Sequence, residues 1–271
     1  MNRRLPSWRE GPTKRALVEF LQRCVRGPEA VPPDERVAAF DNDGTVACEK
    51  PLTALAAFLL DHDSRGPATG PGGPVVGGGH EVLRQVATRF AGQTTEQYQD
   101  AAQDFLRRVR HPRLHCLYPQ VTYRPMLELI ALLQMLQFAV FLCTDSSQDF
   151  IRVMAPAYGL RRDRIIGSEV RIQPVNGDLV RTATPAPLDD GPGKVAHLWD
   201  RTGTRPILAA GNAAGDIEML ASARFGLLVA HDDDDREYAY QDPRLLEVAA
   251  ARGWTVVSIR EDFLTLWAWS E

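Results

Sequence analysis

This sequence has few cysteines, no long apolar runs and no excess of basic residues. Each of these features excludes a class of protein. The four cysteines among the 271 residues are scattered and include no CxxC pair, which is typical of a reducing compartment. No apolar run is long enough to cross a bilayer, and the first 20 residues carry charges throughout, unlike a signal peptide. A net charge of −4 gives no electrostatic reason to bind nucleic acid or an anionic membrane. We therefore expect a cytoplasmic enzyme or binding protein without nucleic-acid or membrane partners. The sequence does not determine the oligomeric state, and the protein could be a monomer or a homo-oligomer.

What the sequence does contain is an alternation of apolar runs and helix-like stretches. Several of the apolar runs are continuous, as strands buried on both faces are. Helix-like stretches such as 125–136 and 147–158 separate them. The alternation predicts an α/β fold in which helices flank a parallel sheet, and Asn176-Gly177 predicts an additional β-hairpin. The predicted core strands are 36–41, 137–143, 205–210, 225–230 and 254–259.

The stretch between the first two predicted strands has a different character. It contains three helix-like segments and a loop rich in glycine and proline at 64–80. Thr94 and Gln97 have the spacing of a helix-starting capping box. We therefore predict a small helical cap at 47–122, inserted into a core made of residues 1–46 and 123–271.

The first predicted strand ends in two closely spaced carboxylates, Asp41 and Asp43, followed by Gly44. The carboxyl ends of parallel strands form the ligand crevice of such folds. One carboxylate there can act as a nucleophile on phosphorus, and the other can act as general acid and base. Two acids beside a phosphate need a divalent cation, and Mg²⁺ suits a site made of oxygens. The alternative is a surface turn, since Asp-Asn-Asp-Gly also favours turns.

Three later segments place suitable partners at further strand ends. Thr144, followed by Asp145, can hold phosphate oxygens where the second strand ends. Lys194 can neutralise charge on a transferring phosphoryl group. Asn212 and Asp216 offer oxygens to a metal. Each has a simpler alternative, namely a helix cap, a solvated charge or an N-cap, but their common order favours one site.

These four segments, in this order, resemble the motifs of the haloacid dehalogenase superfamily of phosphohydrolases. "DNDGT" at 41–45 resembles the nucleophile motif, and "GNAAGD" at 211–216 resembles the acidic motif. Further stretches, such as "EKP", "YRPMLELI" and "GDIEML", are similar to a bacterial branch near phosphoserine phosphatase. The resemblance implies a Rossmann-like parallel sheet with a helical cap inserted after the first core strand.

The resemblance also implies a role for each motif residue. Asp41 would be the nucleophile and a metal ligand, and Asp43 would be the general acid/base, with its main-chain carbonyl on Mg²⁺. Asn212 and Asp216 would complete the metal shell. The implied phosphate-binding set is Thr45, which would also hold the loop, Thr144 and Lys194. A carboxylate at position 43 suits hydrolysis of a phosphate monoester through an aspartyl-phosphate, whereas dehalogenases generally lack it.

Some residues depart from the family pattern and keep other functions open. Ala213 and Ala214 replace a Ser and an Asp of the usual motif, and Asp145 adds negative charge where phosphate is expected. Asp145 would either repel phosphate or recognise an amine or hydroxyl on the substrate. The alternatives are a phosphotransferase or phosphomutase, or a catalytically weak binding protein with the same fold.

We interpret two other acidic features from their positions in the sequence. Glu49 follows the nucleophile loop, where loop residues often contact substrate, and we include it in the substrate-binding set. The run "HDDDDRE" from His231 is interpreted as acidic residues at the start of a helix, where they complement its dipole.

Overall fold

The structure, a computed structural model, describes residues 4–65 and 79–269. Within these ranges the strands are β1 (Val37–Phe40), β2 (Ala139–Ser147), β3 (Ile165–Ser168), β4 (Val170–Val175), β5 (Asp178–Pro185), β6 (Leu208–Gly211), β7 (Phe225–Ala230) and β8 (Thr255–Ser258). The α-helices are α1 (Pro12–Val25), α2 (Ala54–Arg65), α3 (Gly79–Arg89), α4 (Thr95–Arg108), α5 (Arg124–Met135), α6 (Gln148–Met154), α7 (Pro192–Thr202), α8 (Ile217–Ser222), α9 (Pro243–Arg252) and α10 (Ile259–Asp262).

Six of these strands form one sheet in the order β3-β2-β1-β6-β7-β8, and every neighbouring pair is parallel. The predicted parallel sheet flanked by helices is therefore confirmed. Phe40 in the central strand β1 lies opposite Leu142 of β2 and Ala210 of β6. The segments that follow these three residues consequently emerge side by side at the carboxyl edge of the sheet.

Strand β1 shows why its sequence is continuously apolar. All four of its residues are buried, because helices cover both faces of the sheet. Ala38 and Phe40 belong to one apolar cluster, and Val37 and Ala39 belong to the other. The first cluster includes Leu17, Leu21, Leu129 and Leu133 from α1 and α5, and the second includes Leu198, Met219, Leu220 and Ala249 from α7, α8 and α9.

Two features of the sheet were not predicted. Strand β3 has only four residues and ends in Gly167 and Ser168, which have little preference for strands. Strand β2 continues past the predicted end at residue 143 to Ser147, and its register against β3 shifts between Thr144 and Ser147. The irregular end of β2 places the Thr144–Ser147 segment at the carboxyl edge of the sheet.

Three helices, α2, α3 and α4, lie between β1 and α5 in the chain. Phe58 of α2 stacks on Phe90 and on Phe150 of α6, with ring centroids 5.1 and 5.2 Å apart. The capping box at Thr94 and Gln97 is confirmed. The predicted loop at 64–80 was too long at both ends, since residues 64–65 and 79–80 are helical, and residues 66–78 lie outside the described residues. The division into a cap at 47–122 and a core stays a prediction.

The predicted hairpin is present as the antiparallel pair β4 and β5. Its turn places Asn176 at φ 51° and Gly177 at φ 94°, the left-handed region that Asn-Gly turns favour. Backbone hydrogen bonds tie the hairpin to the end of α3, because Gly92 N–H donates to Arg181 and Arg181 N–H donates to Gln93, both at 2.9 Å.

The helix predicted to open at the run "HDDDDRE" is absent, since residues 231–242 form a loop and α9 begins at Pro243. Asp233 stabilises a turn there, because its carboxylate accepts from the N–H groups of Asp235 and Arg236 at 3.2 and 3.1 Å. None of the helices in the described ranges combines the length and apolar character needed to span a membrane.

Candidate active site

The predicted site residues converge at the carboxyl edge of the sheet. Asp41 follows β1, Thr144 lies in the irregular end of β2, and Asn212 follows β6. The N–H of Asp41 donates to the carbonyl of Ala210 at 2.9 Å, which joins the nucleophile loop to β6. The topology of the parallel sheet therefore brings together residues far apart in the sequence.

The loop after Asp41 is a tight turn that requires a glycine. The Asn42 carbonyl accepts from the N–H groups of Thr45, Val46 and Ala47 at 2.9–3.1 Å. Gly44 has φ +82°, and a Cβ at that position would lie 2.0 Å from the amide of Asn212. A side chain at 44 would thus both strain the backbone and displace Asn212 from the site.

Lys194 joins two buried carboxylates. Its Nζ lies 2.6 Å from Asp41 Oδ1 and 2.6 Å from Asp216 Oδ1, and all three side chains are buried. Burial alone would lower the pKa of Lys194, but the charges of Asp216 and Asp41 raise it well above its ordinary value. Lys194 is therefore an ammonium that holds the Asp41 carboxylate in a fixed direction.

Asp216 acts on the loop as well as on Lys194. Its Oδ2 accepts from the main-chain N–H groups of Asn212 and Ala213, both at 2.9 Å. Both oxygens of Asp216 are therefore engaged with protein groups. This geometry favours a positioning role for Asp216, and its predicted role as a metal ligand stays a prediction.

Asp43 has a different environment, although it lies two residues from Asp41. Ser146 Oγ donates to Asp43 Oδ2 at 2.8 Å. Burial raises the pKa of Asp43 from 3.8 to about 6, against the hydrogen bond from Ser146, which lowers it, and with help from the charge of Glu49. A carboxyl group with this pKa exchanges its proton readily near neutral pH.

Three oxygens converge in a way that suits a cation. One end of the Asn212 amide lies 3.0 Å from the Asp43 carbonyl oxygen and 3.3 Å from Asp41 Oδ2. Placing the amide oxygen at that end, where Thr45 Oγ1 donates to it at 3.0 Å, creates an all-oxygen donor set of the kind Mg²⁺ prefers. Placing the nitrogen there would let the amide donate to the same oxygens without a cation.

A cation here would rest on few carboxylates. No group of three or more His, Cys, Asp and Glu side chains within 4–65 and 79–269 has the geometry of a metal site. The oxygens that converge here are one from the Asp41 carboxylate, the main-chain carbonyl of Asp43 and the amide oxygen of Asn212. These donors fit a hard cation, which prefers neutral and anionic oxygens.

The remaining predicted residues surround Asp43. Thr144 Oγ1 is buried and accepts from the N–H of Ser146 at 3.1 Å. Burial and the charge of Asp43 raise the pKa of Asp145 from 3.8 to about 6. Glu49 Oε1 lies 3.4 Å from Asn212 Nδ2. The structure thus brings together all the residues that the sequence singled out, and their individual roles stay predictions.

Sequence reasoning missed two residues of the site. Ser146 was not assigned, although its hydroxyl follows Thr144 closely in "TDSS" and this position was a usable signal. His231, which was interpreted as part of an acidic run, is buried, and its Nε2 lies 2.7 Å from the carbonyl oxygen of Gly44. No local pattern indicated this contact, because 187 residues separate the two positions.

The protein is thus a Rossmann-like α/β protein with a carboxylate–lysine site at the carboxyl edge of its sheet. A comparison with models of protein families identifies the family. The model of haloacid dehalogenase-like hydrolases matches residues 38–221, which is more than half of the chain and spans every motif. The chain belongs to this family. No curated protein matches the sequence.

Solved structures share the fold at low sequence identity. A Bordetella pertussis protein of unknown function is 16% identical, with 82% of this chain and 98% of that chain covered and a TM-score of 0.56. A functionally unknown Anaerococcus prevotii protein is 10% identical, with 90% and 91% covered and a TM-score of 0.59. A probable phosphoserine phosphatase from Vibrio cholerae is 13% identical, with 83% and 62% covered and a TM-score of 0.45. The first two similarities show a common fold and leave activity undefined.

Proposed function

We propose that the protein is a phosphatase that hydrolyses a small phosphate monoester with Mg²⁺, through an aspartyl-phosphate on Asp41. The observation that carries the proposal is the contrast between the two neighbouring aspartates. Lys194 Nζ lies 2.6 Å from Asp41, whereas the neutral hydroxyl of Ser146 contacts Asp43, whose pKa is raised to about 6. Burial and the charge of Asp216 raise the pKa of Asp41, and the Lys194 ammonium opposes them by favouring the anionic form that a nucleophile needs. Asp43 accepts from a neutral donor, and its raised pKa suits a general acid.

In the first step, an oxygen of Asp41 attacks phosphorus in line with the bond to the leaving oxygen. The P–O bond of the ester breaks as the Asp41–phosphorus bond forms, and protonated Asp43 gives its proton to the departing alkoxide. Lys194 holds Asp41 in place and offsets negative charge on the transferring group. Asp41 and Asp43 both belong to the nucleophile loop, which the hydrogen bonds to the Asn42 carbonyl hold in one conformation.

In the second step, Asp43 is a carboxylate and takes a proton from water as that water attacks phosphorus. The bond between phosphorus and Asp41 breaks, inorganic phosphate leaves, and Asp43 is protonated again for the next turnover. Thr144 would bind phosphate oxygens at the end of β2. Mg²⁺, when held by Asp41, the Asp43 carbonyl and Asn212, would supply positive charge that allows a phosphate dianion to approach these carboxylates.

The substrate class and the location in the cell belong to the same proposal. Small ligands bind at the carboxyl edge of the sheet in parallel α/β folds, which favours a small phosphate ester as substrate. A cytoplasmic location is consistent with the free cysteines, Cys24, Cys48, Cys116 and Cys143. Asp145 favours the second candidate, a weakly catalytic binding protein, because its carboxylate lies beside Asp43 and repels phosphate.

The proposal is tested by measuring phosphate release from a panel of phosphomonoesters, with Mg²⁺ and with EDTA. The panel includes sugar phosphates, nucleotides, phosphoserine and esters with an amino group, so that the preferred class is identified. We expect release that requires Mg²⁺ and that disappears in Asp41→Asn. A folded protein that binds beryllofluoride with Mg²⁺ and transfers phosphate to an added alcohol would be a phosphotransferase. Absence of release, transfer and beryllofluoride binding would refute the proposal and favour the binding protein.

A further inference from the structure

A chain of buried polar side chains contacts the nucleophile loop at Gly44. His231 Nε2 lies 2.7 Å from the carbonyl oxygen of Gly44, and its Nδ1 lies 2.9 Å from Glu237 Oε2. The hydroxyl of Tyr123 donates to the other oxygen of Glu237. His231 is 2% exposed, and Glu237 and Tyr123 are 0% exposed, so water does not compete for these contacts.

The hydrogen-bond partners determine which way His231 is oriented. A carbonyl oxygen can only accept, so Nε2 must carry a hydrogen that points at Gly44. The contact between Nδ1 and Glu237 needs a second hydrogen, carried by the imidazole or by the carboxyl group. In either arrangement Nε2–H donates to the loop. The ring of Tyr240, stacked on His231 with centroids 4.2 Å apart, fixes the plane of the imidazole.

The loop that carries His231 is itself anchored to the body of the protein. Arg236 pairs with Asp233 at 2.5 Å, and its guanidinium donates to the carbonyls of Ile259 and Phe263 at 2.6 and 2.9 Å. Glu237, whose side chain contacts His231, is the residue after Arg236. The surface of the 231–242 loop is therefore held by an arginine that binds backbone carbonyls, and its interior side supports the nucleophile loop.

The contact with Gly44 acts on the geometry of Asp43. Gly44 N–H donates to Ala47 at 2.7 Å, and the next peptide group is held through the Gly44 carbonyl by His231. These two bonds fix both peptide planes next to Gly44, where φ is +82° and the chain has wide freedom. The direction of the Asp43 carbonyl, and the approach of Asn212 to it, depend on those planes.

We propose that His231, oriented by Glu237 and Tyr123, is a positioning residue that holds Gly44 so that Asp43 stays aligned with Asp41 and Asn212. The role concerns the same site as the proposed phosphatase function and rests on it. Tyr123 also donates its N–H to Val46 at 2.9 Å, so the chain holds the nucleophile loop at two points. Residues that orient a catalytic group in this way affect turnover more than binding.

Two substitutions of His231 separate positioning from general stability. Glutamine places an amide nitrogen near the Nε2 position and keeps the donation to Gly44. Asparagine places one near the Nδ1 position, keeps the contact with Glu237 and loses Gly44. We expect His231→Asn to lower kcat by about tenfold to a hundredfold with KM changed less than about threefold, and His231→Gln to keep kcat within about threefold. His115→Asn is the matched control, because His115 is exposed and its φ of 57° suits asparagine.

The results that would overturn the inference are defined by the pair of variants. Equal kcat in His231→Asn and His231→Gln, after correction for the folded fraction, would show that His231 only stabilises the fold. Hydrogen–deuterium exchange of residues 41–47 gives the same comparison without turnover. If the wild type releases no phosphate, the proposed function fails, and faster exchange in the Asn variant than in the Gln variant still supports positioning. Equal exchange in both variants would overturn it.

Discussion

The two sides of the active site differ more in charge than in residue type. On one side, the ammonium of Lys194 lies between Asp41 and Asp216 at 2.6 Å from each. On the other side, Asp43 has a neutral hydroxyl from Ser146 as its hydrogen-bond donor, with Asp145 and Glu49 nearby. We therefore expect these two identical side chains, two residues apart, to have different tasks. The chemistry of a paired Asp motif therefore depends on the neighbouring side chains that the fold places around each carboxylate.

The largest effect expected is that of removing the nucleophile while keeping the acid. Asp41→Asn should lower phosphate release by at least about 1,000-fold, and no phosphate should become bound to the protein. Asp43→Asn should lower release by about 100-fold to 10,000-fold and still allow aspartyl-phosphate to form from an ester with a good leaving group. Rapid acid quenching with labelled substrate measures both. Labelling of the Asp41→Asn variant would contradict the assignment of the two roles.

The second prediction concerns Lys194 and the two carboxylates that it contacts. Lys194→Met should lower the free energy of unfolding by about 3–5 kcal/mol at pH 7, because it leaves the buried carboxylates of Asp41 and Asp216 without a positive partner. Urea unfolding measures this change. Adding Asp216→Asn to Lys194→Met should recover part of the stability but none of the activity. A single variant as stable as the wild type would show that Lys194 does not neutralise this pair.

The third prediction concerns the hydrogen bond from Ser146 to Asp43. The hydrogen bond from Ser146 lowers the pKa of Asp43, so Ser146→Ala should raise that pKa above its value of about 6. Since the first step needs protonated Asp43, the decline in kcat/KM on the alkaline side should move to higher pH by roughly one unit. Ser147→Ala is the control, because Ser147 Oγ faces the hydroxyl of Tyr98 at 3.4 Å. A shift of the same size in both variants would refute the assignment.

The smallest effect tests the extra charge of Asp145. Asp145→Asn should lower KM about twofold to tenfold for phosphate esters without a positive group, and the gain should shrink as salt is added. For an ester with an ammonium group, the same variant should raise KM if Asp145 recognises that group. A KM that is unchanged for both kinds of ester would show that Asp145 does not face the substrate.

The parallel sheet and the meeting of most site residues could be predicted from the amino-acid sequence. Continuous apolar runs predicted strands buried on both faces, and polar residues at their ends predicted that Asp41, Thr144 and Asn212 would meet, because parallel strands share one carboxyl edge. The hairpin at Asn176-Gly177 and the capping box at Thr94 were also readable, since both depend on neighbouring residues alone. Local chemistry and sheet topology are enough for these features.

The groups that contact each aspartate could not be predicted from the sequence, because they depend on how distant segments pack. These groups are side-chain contacts between distant or irregular segments. They include the hydrogen bond from Ser146 to Asp43, the two bonds that Asp216 accepts from the 212–213 backbone, and the contact of His231 with Gly44. The helix expected at His231 was wrong because Asp233 and Arg236 stabilise a turn through contacts with the far end of the chain. Such contacts have no period in the sequence, so packing alone decides them.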